Sequence, residues 1–310
     1  MKIKASDVIV PLDVPKTMRG EYTQNYLTIT QESGRLILFA GDQKVEHLNR
    51  DFFGEGIHPQ DSDPEHLFRI AGQGRIGVFA TQLGLIARYG MDYPDVSYLV
   101  KLNSRTDLVT VDMDDPFSQQ WLDVKQVVEF RDNSGLKIPA VGYSVYLGSM
   151  YEDEMLHHAA QVVYQAHQHG MLAVLWICPL GQAIEDERDS HLIAGAAGVG
   201  ACLGSDFVRV NYPQTNGAKP QEMFKEAILA AGRTRVISSG GSSQDVGAFL
   251  GRIYDQIHIS GAGGISIGRN LHQKSLDEAV RLCEAIHAVV IEGAMVEDAL
   301  QRMWTSSRER

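Results

Sequence analysis

Eight short apolar runs, each separated from the next by a longer stretch, organise this chain. They are LILFAGD (36–42), GVFATQ (77–82), YLVKLN (98–103), AVGYSVYLG (140–148), LAVLWICP (172–179), DFVRVNYP (206–213), RVISSGG (235–241) and GISIGRN (264–270). Continuous apolar strands with helical patterns between them predict a parallel sheet covered by helices, because only a strand buried on both faces dispenses with alternation. Eight such units in 310 residues predict one (β/α)8 (TIM) barrel over 35–294, with an N-terminal extension 1–34 and a C-terminal tail 295–310.

Local signals set the expected helices. Asp63 before Pro64 reads as an N-cap with proline at the first helical position. HLIAGAAGVGACLG reads as a helix ending on a glycine cap. An amphipathic helix is expected around FSQQWLDVKQVVEF, begun by Asp115 or its neighbours Asp112 and Asp114, where a magnesium site is a minor alternative. His157–His158 and His167–His169 share one helix and read as a solvated face. The polar N-terminal extension and the tail MWTSSRER are expected either to pack between subunits or to fray.

A net charge of -11 argues against general affinity for nucleic acid or anionic membrane, though a local basic pocket can oppose the global sign. Three cysteines without a paired spacing suit a reducing cytoplasm, and no stretch reads as a signal peptide or membrane span. A cytoplasmic location is the expectation. GAGGISIG precedes a strand with the wrong spacing for a dinucleotide fingerprint, and His47 has no partner at zinc-type spacing, so neither a nucleotide cofactor nor a metal is expected.

Barrel chemistry gathers at the C-terminal ends of the strands. Strand alternation turns Lys101 and Asn103 inward on the third strand, Ser144 and Tyr146 on the fourth, and Arg209 and Asn211 on the sixth, while Asp42 and Gln43 follow the first. A guanidinium inside a barrel is costly unless an anion meets it. That anion is either a ligand or a carboxylate, such as Asp42 neutralising Lys101 or Arg209 in a satisfied polar layer. Ser239, Gly240 and Gly241 close the seventh strand, and Gly268, Arg269 and Asn270 the eighth. Loops at those two exits commonly hold phosphate through backbone N–H groups, with glycine permitting close approach and arginine adding a charged contact.

GDQKVEH, YLVKLN, VGYSVYLGS, GSDFVRVNYP, SSGG and SIGRN, in that order, resemble the archaeal-type class I fructose-1,6-bisphosphate aldolases from about residue 35 to 290. The resemblance implies a homo-oligomeric, cofactor-free lyase of glycolysis and gluconeogenesis. Such an enzyme cleaves fructose 1,6-bisphosphate to dihydroxyacetone phosphate and glyceraldehyde 3-phosphate, or runs in reverse. It implies roles for Asp42, Lys101 and Tyr146 in catalysis, and for Gln43, Ser239, Gly240, Gly241, Gly268 and Arg269 in holding the phosphorylated substrate.

One position departs from the pattern. Where the family has a lysine that forms a Schiff base, this chain has Arg209, and Pro179–Leu180–Gly181 replaces a Pro–Arg–Gly. A guanidinium is effectively never deprotonated and cannot attack a ketone. Either another lysine supplies the amine, Lys101 being the best placed, or the chain is a lysine-to-arginine variant, natural or made in a laboratory. The alternatives are a non-catalytic sugar-phosphate-binding protein on an aldolase barrel and a related aldol-type synthase.

Overall fold

The computed structural model describes residues 2–108, 115–214, 217–239 and 245–305. Its centre is a closed barrel of eight parallel strands, paired in sequence order, with the last strand returning to the first. The strands are β1 Leu36–Ala40, β2 Val78–Gln82, β3 Tyr98–Lys101, β4 Ala140–Leu147, β5 Leu172–Pro179, β6 Phe207–Val210, β7 Arg235–Ser239 and β8 Gly264–Ile267. All eight fall inside the runs expected from the sequence.

The apolar residues divide into two cores. Ile37, Phe39, Val100, Tyr143, Val145, Leu175, Val208 and Val210 face the surrounding helices in one continuous cluster. Leu36, Leu38, Val78, Ala80, Leu99, Leu172, Val174, Phe207 and Ile237 fill the barrel interior in a second. The interior is thus a packed plug of branched and aromatic side chains.

Two expectations need correction at the other end of the barrel. The N-terminal segment does not fray: Val14, Tyr22 and Ile29 are buried in the interior cluster, with Val8, Val10, Met18 and Tyr26 packed against it. Helix Arg19–Ile29 therefore belongs to the lid that closes the barrel's bottom. His167 is not on a solvated face either. It is fully buried, and its ring nitrogens meet Asp13 at 2.8 Å and Asp206 at 3.2 Å. Tyr22 also hydrogen-bonds Asp206, which accepts from the backbone N–H of Ala173 at 2.7 Å. These four side chains fasten the N-terminal segment to the feet of β5 and β6.

Other local signals fared unevenly. Asp63 accepts from the N–H of Glu65 at the start of helix Glu65–Gln73, and Gly204 takes positive φ just past helix Ser190–Cys202. Asp115 begins no helix: its carboxylate instead accepts from the N–H groups of Met150 and Gln182, and the helix that follows is Val124–Ser134, capped by Asp123. Asp112 and Asp114 lie outside the described residues. Helix Val296–Thr305 buries Ala299 and Met303, so the described part of the tail is docked. No helix among the described residues is long and apolar enough to cross a membrane.

Candidate active site

A cavity of about 320 Å3 opens at the C-terminal ends of the strands. It lies near the lower end of the range for small-molecule pockets, ~300–1,000 Å3. Asp42, Gln43, Ser144, Tyr146, Arg209, Ser239, Gly268 and Arg269 all line it, so residues drawn from five regions of the sequence converge as expected. Gly240 and Gly241 lie outside the described residues.

Lys101 does not itself line this cavity: its side chain is fully buried behind Asp42, Ser144 and Trp176, which do. Its Nζ donates to Ser144 Oγ at 2.7 Å, stands 3.3 Å from Asp42 Oδ2 and lies 4.0 Å from the centre of the Trp176 ring. Asp42 is itself 2% exposed, so the two charges satisfy one another out of water. Gly142 makes room for this arrangement. A Cβ there would come within 2.7 Å of both Leu99 and Trp176 and 3.1 Å from the Lys101 stem. Asn103 does not reach the cavity. Its amide bridges the N–H and carbonyl of Ser144 at 2.7 and 2.8 Å, which fixes β4 against the exit of β3.

Arg209 pairs in register with Trp176 and Ile237 and is half-buried. Its Nη1 reaches Cys178 Sγ at 3.4 Å and Asn211 Oδ1 at 3.3 Å, while its Nε is sealed without a hydrogen-bond partner. Among the described residues no carboxylate forms an ion pair with it. Asp42 neutralises Lys101 and leaves Arg209 to face the cavity.

Glu46, Trp176, Cys178, Glu187, Arg188 and Ser266, which the sequence did not single out, also line the cavity, together with His47, which sequence reasoning considers only as a metal ligand. Burial pushes the Glu46 carboxyl above the usual carboxylate range, against the opposing pull of Lys101. A hydrogen bond with Asp51 raises His47. Burial also raises the Cys178 thiol, although the Arg209 charge works the other way. Tyr146 is held well above an ordinary phenol, first by burial and then by the proximity of Glu46, so it stays protonated and able to donate. The signal for Glu46 and His47 was available in GDQKVEH, an unusually polar strand exit.

The β8 side carries the basic rim. Arg269 lines the cavity with its Nε 3.7 Å from Asp51 Oδ2. A Cβ on Gly268 would meet Gln43 Oε1 at 2.1 Å and the carbonyl of Ala40 at 3.0 Å, so any side chain there must push the Gln43 carboxamide out of its place in the cavity. Gln43 is held from behind by His272 at 3.4 Å, whose Nδ1 is 2.7 Å from the buried carboxylate of Asp61. No group of three metal-binding side chains occurs among the described residues.

Residues 36–274 match the sequence profile of the DeoC/LacD family aldolases. The chain is 56% identical over 300 residues to the fructose-bisphosphate aldolase/6-deoxy-5-ketofructose 1-phosphate synthase of Methanocaldococcus jannaschii, covering 97% of this chain and 96% of that protein. A solved fructose-bisphosphate aldolase from Slackia heliotrinireducens superposes with a TM-score of 0.97 at 51% identity, covering 100% of this chain and 98% of that one. An archaeal fructose-1,6-bisphosphate aldolase, solved with its catalytic lysine covalently bound to the carbinolamine intermediate, superposes with a TM-score of 0.75 at 28% identity over 87% and 99% of the two chains. With the profile spanning most of its length, this chain belongs to the DeoC/LacD aldolase family.

Proposed function

We propose that the protein is an aldehyde-lyase that makes or breaks the carbon–carbon bond beside the carbonyl of a phosphorylated ketose, with Lys101 as its imine-forming amine. The placement of Lys101 carries this reading. It is the one lysine on any of the eight strands, and its Nζ lies against Asp42 and Ser144, both of which line the cavity.

In the cleavage direction, Asp42 takes a proton from the ammonium 3.3 Å away, and the freed amine attacks C2 of the ketose. Loss of water from the carbinolamine gives an iminium. The C3–C4 electron pair then flows into it, leaving an enamine, while the C4 hydroxyl proton passes to the carboxylate of Glu46 or Asp42 and the aldehyde departs. Tyr146, kept protonated by burial, donates to the oxygen on which charge develops. Protonation at C3 and hydrolysis return the amine. Gln43, Ser239, Gly268 and Arg269, with Gly240 and Gly241, hold the phosphate. Fructose 1,6-bisphosphate is the reading supported by the relatives' names, and glycolytic and gluconeogenic service follows from it. A synthase reaction of the same aldol type is the close variant that the Methanocaldococcus relative's second activity favours. We also read the protein as a cytoplasmic homo-oligomer, consistent with exposed Leu12, Met91 and Leu229 and tested by light scattering.

A second reading rests on a specific observation. Lys101 already has three partners, and Arg209 cannot form an imine, so the barrel could bind a sugar phosphate without turning it over. Borohydride trapping with dihydroxyacetone phosphate, read by intact mass and peptide mapping beside an Arg209→Lys control, separates the two. An adduct on Lys101 is expected. An adduct only at residue 209 of the control would establish the binding-only reading.

A further inference from the structure

The site's charges do not close on themselves. Asp42 is committed to Lys101, and Glu46, a half-buried carboxyl at the cavity, accepts among the described residues one side-chain hydrogen bond, from the Ser104 hydroxyl at 3.3 Å, and acts on Arg209 through space. Arg209 has a thiol and a carboxamide oxygen as its only hydrogen-bond partners among the described residues, both neutral and both at long range. A half-buried guanidinium with neutral hydrogen-bond partners, turned into a polar cavity, is an anion receptor awaiting its anion.

We propose that Arg209 binds a carboxylate of the ligand, so that the protein takes a phosphorylated acid with its carboxylate on Arg209 and its phosphate at the exits of β7 and β8. The phosphate half rests on the reading above; the carboxylate half does not, and it is independent of imine formation.

Three features favour a carboxylate over a second phosphate at this position. Arg209 lies within the strand, between Trp176 and Ile237 in register, whereas Ser239, Gly268 and Arg269 stand at the exits. Its Nη1 is already held by Cys178 and Asn211 and its Nε is sealed, which leaves a limited planar edge that suits a flat, monoanionic group. Asp42 and Glu46 line the same cavity and repel a dianion more strongly than a monoanion. A lysine at 209 would offer a compact, strongly hydrated point charge in place of the flat guanidinium edge.

The test is calorimetric titration with 3-phosphoglycerate and glycerol 3-phosphate, which share the phosphate and differ by the carboxylate. Neither has a ketone, so lysine chemistry cannot enter. The parent protein is expected to bind 3-phosphoglycerate at least about tenfold more tightly, a preference that falls to within about twofold in Arg209→Gln and is mostly lost in Arg209→Lys. Equal affinities in the parent would overturn the carboxylate assignment while leaving the phosphate site standing, and need no variant to fold. A preference that persists in Arg209→Gln would overturn it equally. Binding of neither compound would overturn the phosphate assignment as well, and borohydride trapping on Lys101 would still report separately on the aldolase reading.

Discussion

Replacing His167 by glutamine should remove a pH-dependent fastening of the N-terminal segment. Burial by itself lowers this imidazole's affinity for protons, but hydrogen bonds and charges from Asp206 and Asp13 outweigh it and raise the pKa from 6.5 to about 9. The folded state therefore holds the proton more tightly than the unfolded chain. That contribution is fully present below about pH 6.5 and is lost as pH rises through about 9. A shift of about 2.5 units corresponds to ~3 kcal/mol, at about 1.4 kcal/mol per unit. Asp13 is 36% exposed and its share is screened, so ~2 kcal/mol from the buried Asp206 is the firmer figure. The assay is urea unfolding of the parent and His167→Gln between about pH 6 and pH 9.5. The upper bound stays below the range where Tyr22, whose phenol is raised by burial and by Asp206, begins to matter. The stability advantage of the parent should shrink by ~2 kcal/mol across the window. A difference that stays constant with pH would mean that His167 is neutral in the folded protein, and would refute the charged fastening.

Further expectations concern the active-site end. Lys101→Met strands the buried Asp42 carboxylate and should cost ~3–5 kcal/mol in urea unfolding, with Asp42→Asn added to it recovering most of that loss. Gly268→Ala drives a methyl into Gln43 and the Ala40 carbonyl, and should weaken calorimetric binding of inorganic phosphate by about tenfold or more with little change in the far-ultraviolet spectrum. Glu46→Gln should abolish a limb of the kcat–pH profile that lies above the ordinary carboxylate range, whereas an unchanged profile would remove Glu46 from proton transfer.

The barrel was readable because its strands are apolar on both faces and therefore stand out from the helices between them. Strand alternation then placed Lys101, Ser144, Tyr146 and Arg209 inside, where the structure puts them. What it could not rank was which carboxylate meets which cation. Asp42 and Lys101 are far apart in sequence, and their pairing in preference to Arg209 depends on side-chain reach across the barrel. The His167 cluster was invisible for a related reason: its partners Asp13 and Asp206 lie 154 and 39 residues away, so helical periodicity sees only a polar residue. Asp115 misled because an acidic residue before proline suits a helix start, while its actual partners are N–H groups of two distant loops. Trp176 and Cys178 were hidden in an apolar run whose inward parity was not followed to its exit.

The central claim is that Lys101 converts a ketose phosphate to an enamine. Proton exchange in dihydroxyacetone phosphate tests it without requiring the aldehyde partner to be known, because enamine formation releases one C3 proton to solvent. In deuterated buffer, followed by proton magnetic resonance, the parent protein should wash out that C3 proton, and Lys101→Arg, which keeps the charge beside Asp42 but cannot form an imine, should not. No exchange with the parent, or undiminished exchange with Lys101→Arg, would contradict the account.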